Sequence, residues 1–423
     1  MRRIHVIGLI IFVIAFFALG IYAADYFKAG QDNTGPTPPD GNNGEPDDTP
    51  LPPDIRTATM VSVGAIYPHA PQLSQAYLND GRYDFTPSFE IIAPLVKEAD
   101  LAVVTLETAQ AGEETGGYSA YPTFNSPIEV SQALKQAGFD VFNTANNHIM
   151  DRGYDGLMKT LDNVRALGVK VIGTHKSQAE RDTPFIQDIN GIKVGFVSYT
   201  YNTNGFYPPA GHEYAINFIP DFQTIEPVIA DIKAARNAGA DLVAAYLHWG
   251  EEYVHEPMQR QKEIAAELAR AGCDLIIGTH SHVLQPIDLI TVNQADGGAR
   301  KAVVIYALGN FCTNQHLTEG VPTDLTRYGI MARIELAKDM NSGEAWVEDV
   351  NYTVNICHIG WRHRVIPVPQ ILESPPERYN HTAERVETIR SQYNTILGIM
   401  ESYDFTARKE DFFKRHQEDN NDD

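Results

Sequence analysis

The apolar positions of this chain fall into short continuous runs separated by amphipathic stretches, the alternation from which α/β folds are built. Thr59 to Ile66 and Leu101 to Leu106 read as strands. Ser126-Pro127-Ile128-Glu129 has the form of a capping box with proline at the first helical position, opening a helix that ends at Gly138. Asp140 to Asn143 follows as a strand, 154–167 as a helix and Val169 to Ile172 as another strand. Phe185 to Ile189 and Lys193 to Tyr199 flank Asn190-Gly191, a hairpin turn in which both positions tolerate positive φ, so the sheet is mixed. Asp221 to Ala238 and Met258 to Ala271 read as helices; Leu242 to Leu247, Asp274 to Ile277 and Val303 to Tyr306 read as strands. Antiparallel strands complete the domain across 321–370, and 380–400 reads as a helix.

The two ends have a different character. Behind Arg2 and Arg3, Val6 to Ala24 is a run of nineteen residues without a charge, close to the ~20 that cross a bilayer and longer than a usual cleaved leader. The pattern predicts an uncleaved anchor over 1–29, with the arginines cytoplasmic and the rest extracytoplasmic; cleavage near Ala24 is the secreted alternative. Residues 30–54 hold seven prolines, six acids and no basic residue, a composition that buries too little apolar area to offset chain entropy and predicts a disordered linker. The acidic stretch 409–423 reads the same way. Between them, 55–370 reads as the main domain and 371–408 as a helical extension.

The net charge of −22, from 33 basic and 55 acidic residues, belongs largely to the folded part and excludes nucleic acid as a partner. Three cysteines, Cys273, Cys312 and Cys357, form neither a disulfide framework nor a Cys-x-x-Cys zinc motif.

Candidate chemistry gathers at strand ends, where side chains face an open crevice and not the core. Strand 59–66 runs into Tyr67-Pro68-His69, and 101–106 delivers Glu107. Strand 140–143 opens the run Asn143 to Gly153, which contains Asn146, Asn147, His148, Asp151 and Arg152. Strand 242–247 delivers His248, with Glu251 behind it, and 274–277 precedes His280-Ser281-His282. Five strand ends with metal-competent side chains predict one rim. Imidazoles, carboxylates and amide oxygens suit Mn²⁺, Fe or Zn²⁺. Glu107 is placed to bridge two cations, and His280 and His282 to address one metal or two; a site of that kind activates water and stabilises a developing oxyanion, as a hydrolase requires. Each residue also has a plainer role: Asn146 and Asn147 bonding their own loop, His69 as a turn residue, His248 as a buried histidine, and Asp151 with Arg152 as a cap or loop-fixing pair.

Six segments in order resemble the bacterial capsule-synthesis CapA family: Val63-Gly64, Ala99 through Thr108, Gly138 through Gly153, His248-Trp249-Gly250 with Glu251-Glu252-Tyr253, Gly278 through Val283, and Gly309-Asn310-Phe311. That family includes the poly-γ-glutamate synthesis component, and its domain is similar to the calcineurin-like metallophosphoesterases. The resemblance covers about residues 58–315. It implies a metallophosphoesterase-like sandwich of mixed β-sheets flanked by helices and one or two divalent ions held by Glu107, Asn147, His248, His280 and His282. His148 is the implied acid or oxyanion partner; Asp151 beside it is a further candidate catalytic residue read from the chain itself, with His69, Asn146 and Glu251 as possible additions. The implied setting is capsule or poly-γ-glutamate biosynthesis, transport or release, with the anionic polymer or its precursor and membrane synthase subunits as partners. One departure stands out: the family has Gly-Asp after its first strand, whereas this chain has Gly64-Ala65. The departure favours an alternative role as a non-catalytic, polymer-binding or synthase-partner subunit.

Overall fold

The computed structural model of the protein describes residues 54–294, 297–318 and 320–414. Among them no helix is long and apolar enough to cross a membrane. The apolar segment Val6–Ala24, nearly all of the acidic linker and residues 415–423 lie outside the described residues.

Among the described residues, fourteen strands form two mixed sheets. The first contains β1 (Ile55–Ile66), β2 (Leu101–Leu106), β3 (Val141–Asn143), β4 (Lys170–Ile172), β11 (Asn310–Cys312), β12 (Tyr328–Asp339), β13 (Ala345–His358) and β14 (Arg364–Pro367). Its order is β14-β13-β12-β1-β2-β3-β4, with β11 also paired to β1. The β1-β2-β3-β4 half is parallel, and β12, β13 and β14 are added antiparallel. The second sheet runs β5 (Phe185–Ile189), β6 (Ile192–Thr200), β7 (Leu242–His248), β8 (Leu275–Thr279), β10 (Ala299–Leu308) and β9 (Leu284–Asn293), with parallel β6-β7-β8-β10 and an antiparallel strand at each edge.

Successive strand residues point to opposite faces, and the buried sets separate accordingly. Ala58, Met60 and Val103 of the first sheet pack with Val194, Ala244, Tyr246 and Ile277 of the second, so the main core lies between the sheets. Val61, Val63, Val104 and Phe142 face the other way, onto Val130 and Leu134 of the helix Glu129–Ala137. Val243, Ala245 and Ile276 likewise meet Val228 and Ile232 of the helix Glu226–Asn237 and Ile264 and Leu268 of the helix Gln259–Ala271. With both faces covered, the parallel strands become nearly continuous apolar runs, which is why they were visible in sequence. The result is an α/β sandwich of two mixed sheets flanked by helices, as the sequence implied.

Several details differ from expectation. Ser126 does not cap its helix: its hydroxyl pairs with Thr108 Oγ1 at 2.8 Å, and the helix starts at Glu129 with no side-chain cap. The Asn190-Gly191 turn has positive φ at both residues, as predicted. The strand β9 was not anticipated. At the C-terminus, the helix Ala383–Met400 is followed by Phe405–Phe413, which runs five residues beyond 408. Val386, Ile389, Ile396, Met400 and Phe405 join the main core, and Phe412 and Phe413 pack against it. Apolar contact therefore orders a stretch whose charge alone suggested disorder.

Gly64 positions the site. A Cβ there would lie 1.9 Å from the carbonyl oxygen of Gly309, so glycine is what lets the chain entering β11 approach β1. That approach brings Asn310 to the carboxyl end of β1, where it pairs with Ala65.

Candidate metal centre

The predicted rim exists, but the two sheets share it. Sheet one supplies Tyr67 after β1, Glu107 after β2, and Asn147 and His148 after β3; sheet two supplies His248 at the end of β7 and His280 and His282 after β8. Glu107 is fully buried, and neither of its carboxylate oxygens has a hydrogen-bond partner. Its Oε1 lies 3.8 Å from His248 Nε2 and 3.9 Å from His282 Nε2. Glu107, His248 and His280 each bring a donor atom within 4.8 Å of the other two, and so do Glu252, His280 and His282. The two groups share His280.

Each imidazole is held by a neighbour. His248 Nδ1 contacts Thr279 Oγ1 at 3.0 Å, while its Nε2 faces Asn147 Oδ1 at 2.9 Å. His282 Nδ1 lies 3.0 Å from the Tyr67 hydroxyl and 3.1 Å from Asn310 Oδ1, leaving Nε2 toward Glu107. His280 Nε2 meets the Tyr201 hydroxyl at 2.8 Å, and its Nδ1 is buried without a partner. Both histidines of the closing pair have left-handed backbone, φ +99° at His280 and +57° at His282. Non-glycine residues rarely hold such conformations, and retained strain of this kind concentrates at functional sites.

The electrostatics are those of a cation-binding pocket. Burial, followed by the charges of Glu252 and Asp151, raises the Glu107 carboxyl well above the ordinary carboxylate range. Burial and then the neighbouring imidazoles hold His248 and His280 well below the ordinary histidine range, and burial also lowers His282. A carboxylate that is costly to ionise beside neutral imidazoles, of which His280 Nδ1 and His282 Nε2 have no hydrogen-bond partner among the described residues, is the arrangement a divalent cation relieves.

His148 and Asp151 form a separate pair beside this cluster. His148 Nδ1 is 2.8 Å from Asp151 Oδ2, which also accepts the Phe124 amide at 2.7 Å. Asn204 Nδ2 lies 3.3 Å from the same ring nitrogen; the shorter carboxylate contact makes Nδ1–H the donor, and Nε2 carries the lone pair. The Phe124 ring stands edge-on to His148 at 4.7 Å. Asp151 therefore does not pair with Arg152, whose guanidinium reaches Ser119 Oγ instead.

The remaining expected residues are placed less centrally. Asn146 braces the loop, donating to the carbonyls of Leu106 and Thr144 and accepting the His148 amide, which occupies both ends of its side chain. His69 precedes the helix Ala70–Ala76; its ring lies 5.2 Å from that of Tyr67 and 5.5 Å from that of Phe124, and burial followed by the charge of His282 lowers its pKa to about 4. Among the described residues His69 joins no three-residue group of imidazole and carboxylate donors. Glu251 is exposed and outside those groups; Glu252 is the acid that reaches His280 and His282. Ala65 packs with Tyr67 and Phe124, so an apolar wall stands where the expected aspartate would be. Tyr67, Tyr201, Glu252 and Asn310 were not expected as site residues; Tyr67 and Glu252 adjoin the candidates His69 and Glu251 in sequence, whereas Tyr201 and Asn310 are brought to the site only by the fold.

Comparison with known proteins follows the geometry. The family model described as Bacterial capsule synthesis protein PGA_cap matches residues 59–315. The chain is 28% identical to "Capsule biosynthesis protein CapA" of Bacillus anthracis, over 58% of either chain. It is also 28% identical to "PGA biosynthesis protein CapA" of Bacillus subtilis, over 57% of this chain and 60% of that one. The matched region thus spans about three fifths of those relatives' own length. Among solved structures, a phosphatase of Mycoplasma pneumoniae aligns with a TM-score of 0.39 at 12% identity, covering 77% of this chain and 99% of that one.

Proposed function

This chain belongs to the bacterial capsule synthesis protein family, and on that footing we propose that it acts in the biosynthesis, transport or release of an extracellular anionic polymer, poly-γ-glutamate, through a metal-dependent hydrolytic centre. The observation that carries the hydrolytic part is Glu107: a fully buried carboxylate with both oxygens unpartnered, facing His248 and His282 across the gap between the sheets. An unpaired buried carboxylate is expensive unless a cation offsets it. In this reading the protein is held at the cell membrane by Val6–Ala24, with the domain outside.

The donor set fits a divalent ion such as Mn²⁺, Fe²⁺ or Zn²⁺. Glu107, His248 and His280 would hold it, with Asn147 Oδ1 at the His248 side; Glu252 and His282 would extend the set to a second ion. When bound, such an ion supplies Lewis acidity, acidifying water and neutralising charge that develops on a substrate oxygen. Thr279, Tyr67, Asn310 and Tyr201 orient the imidazoles, as the outer partners of metal-binding histidines do. Asp151 fixes the tautomer of His148, leaving Nε2 to take a proton from attacking water or, once protonated, to return it to the leaving group. A phosphoester and an amide of the polymer backbone are both compatible with this machinery.

A second reading, supported by the Tyr67–Phe124 wall at Ala65, is a subunit that holds polymer or a membrane synthase partner without turnover. Assays of phosphodiesters and poly-γ-glutamate with added Mn²⁺ separate the two. Turnover that disappears in His148→Ala supports the enzyme; polymer binding without turnover, unchanged by that substitution, supports the scaffold.

A further inference from the structure

A polar cavity of about 440 Å³ lies apart from the residues of the metal cluster. Its walls include His316, Asp324, Arg327, His358, His381 and Arg385. The histidine rings are stacked, 4.3 Å between centroids and 11° between planes. Two guanidinium nitrogens of this lining, Arg327 Nε and Arg385 Nη2, and the ring nitrogen His381 Nε2 are buried without any hydrogen-bond partner among the described residues, whereas His358 donates from Nε2 to the Asn380 carbonyl at 3.4 Å and leaves Nδ1 as an unpartnered acceptor. Arg327 and His358 are each only 8% exposed. Among the described residues neither guanidinium has an ion-pair partner: Arg327 donates to the Cys357 carbonyl at 3.3 Å, and the Asp324 carboxylate accepts the Leu317 amide at 3.0 Å.

Buried donors and cations left unsatisfied are costly, and natural proteins retain few of them. This protein carries a net charge of −22, so a cavity whose wall holds two guanidiniums against the single carboxylate of Asp324 is a local reversal of its field. The cavity also lies at the start of the helix Ala383–Met400, where Thr382 caps the Arg385 amide and Glu384 sits in the first turn; the helix dipole at such an end adds to the attraction for an anion. The pKa of His381 is lowered to about 4, first by burial and then by the charges of His358 and Arg327, a cationic field that a bound anion would offset. Nothing in the metal cluster uses these groups.

The cavity is nonetheless linked to that cluster through the chain. The segment from Asn310 to His316 carries Asn310 against His282 and Gln315 against the Tyr67 hydroxyl at 3.0 Å, and ends with His316 in the cavity wall. His363 holds this segment in place, contacting Asn314 Oδ1 at 2.8 Å and Gln75 Oε1 at 3.0 Å. We propose that this cavity is an oxyanion-binding site, taking one carboxylate of an acidic polymer or one phosphate group, apart from the metal cluster and independent of it. The choice of polymer rests on the proposed function; the anion site does not. A polymer carrying a carboxylate on every unit can present one unit to the metal cluster and another to this cavity.

The test is calorimetric titration of the full-length, metal-stripped protein with inorganic phosphate and, separately, with a short γ-glutamyl oligomer. Arg385 is half-buried on a helix surface, so Arg385→Gln keeps the fold; His381→Asn removes a ring from the wall; circular dichroism checks both. The site predicts saturable binding of at least one probe, one per chain, weakened about tenfold or more by either substitution, the scale of one lost charged hydrogen bond, and unchanged by Glu107→Gln. Phosphate binding without oligomer binding leaves the site standing and removes the polymer from it. Binding of neither probe, binding that survives both substitutions, or binding lost in Glu107→Gln overturns the proposal.

Discussion

Glu107 and His248 come from different sheets and meet with Oε1 and Nε2 3.8 Å apart, both fully buried. β2 ends at the carboxylate and β7 ends in the imidazole, so the cluster depends on how the two sheets are stacked and not on any one loop. A cation between them would tie the layers together.

That relationship fixes a pH dependence. Glu107 is raised well above the ordinary carboxylate range by burial, then by Glu252 and Asp151, so it holds a proton in the cation-free protein at mildly acidic pH. Cation binding must release that proton, and affinity therefore rises as pH rises toward the raised pKa. Titrations in two buffers of different ionisation heat should show proton release on Mn²⁺ or Zn²⁺ binding; a pH-independent affinity with no release between pH 5 and 8 would contradict the assignment.

Glu252 and Glu251 are adjacent and chemically alike, but only Glu252 joins His280 and His282. Glu252→Gln should lower metal stoichiometry or weaken binding about 10-fold or more, whereas Glu251→Gln should stay within about 0.5 kcal/mol of the parent in stability and bind metal equally well. Parallel metal analysis of the two variants checks this; equal effects would remove Glu252 from the site.

Asp151 orients His148 and also receives the Phe124 amide. Asp151→Asn preserves the shape but lets the amide nitrogen face His148 Nδ1, which reverses the ring tautomer. If the centre hydrolyses its substrate, kcat should fall about 100-fold or more with a smaller change in KM and altered pH dependence. An unchanged pH profile would assign Asp151 to loop packing alone.

At Gly64 the prediction concerns fold. A methyl group there would sit 1.9 Å from a backbone oxygen that has no room to retreat, so Gly64→Ala should cost about 3 kcal/mol or more, at the upper end of overpacking effects. Chemical denaturation measures it. A loss under about 0.5 kcal/mol would show that the approach of Gly309 to β1 is looser than described.

Much of this was legible in the chain. Strands covered on both faces announce themselves as apolar runs, and β2, from Leu101 to Leu106, was read to the residue. The residues at strand ends followed from that reading. What escaped was set by three-dimensional context. β9 carries Gln285 and Asp288 among its apolar residues and is defined by pairing with β10. Ser126 has the right chemistry to cap a helix, but Thr108, distant in sequence, claims its hydroxyl. Glu252 cannot be told from Glu251 in a loop without periodicity. Tyr67 and Tyr201 look like core aromatics until their hydroxyls are seen against His282 and His280.

The most direct test of the central claim is the divalent metal content of the purified full-length protein after equilibration with Mn²⁺, Fe²⁺ or Zn²⁺ and removal of free ion, compared with Glu107→Gln and His280→Ala variants of confirmed fold. The account predicts at least one tightly held ion per parent chain and its loss, or a weakening of about 100-fold, in both variants. A parent protein that holds no divalent ion at neutral pH, or variants that hold it equally well, would contradict it.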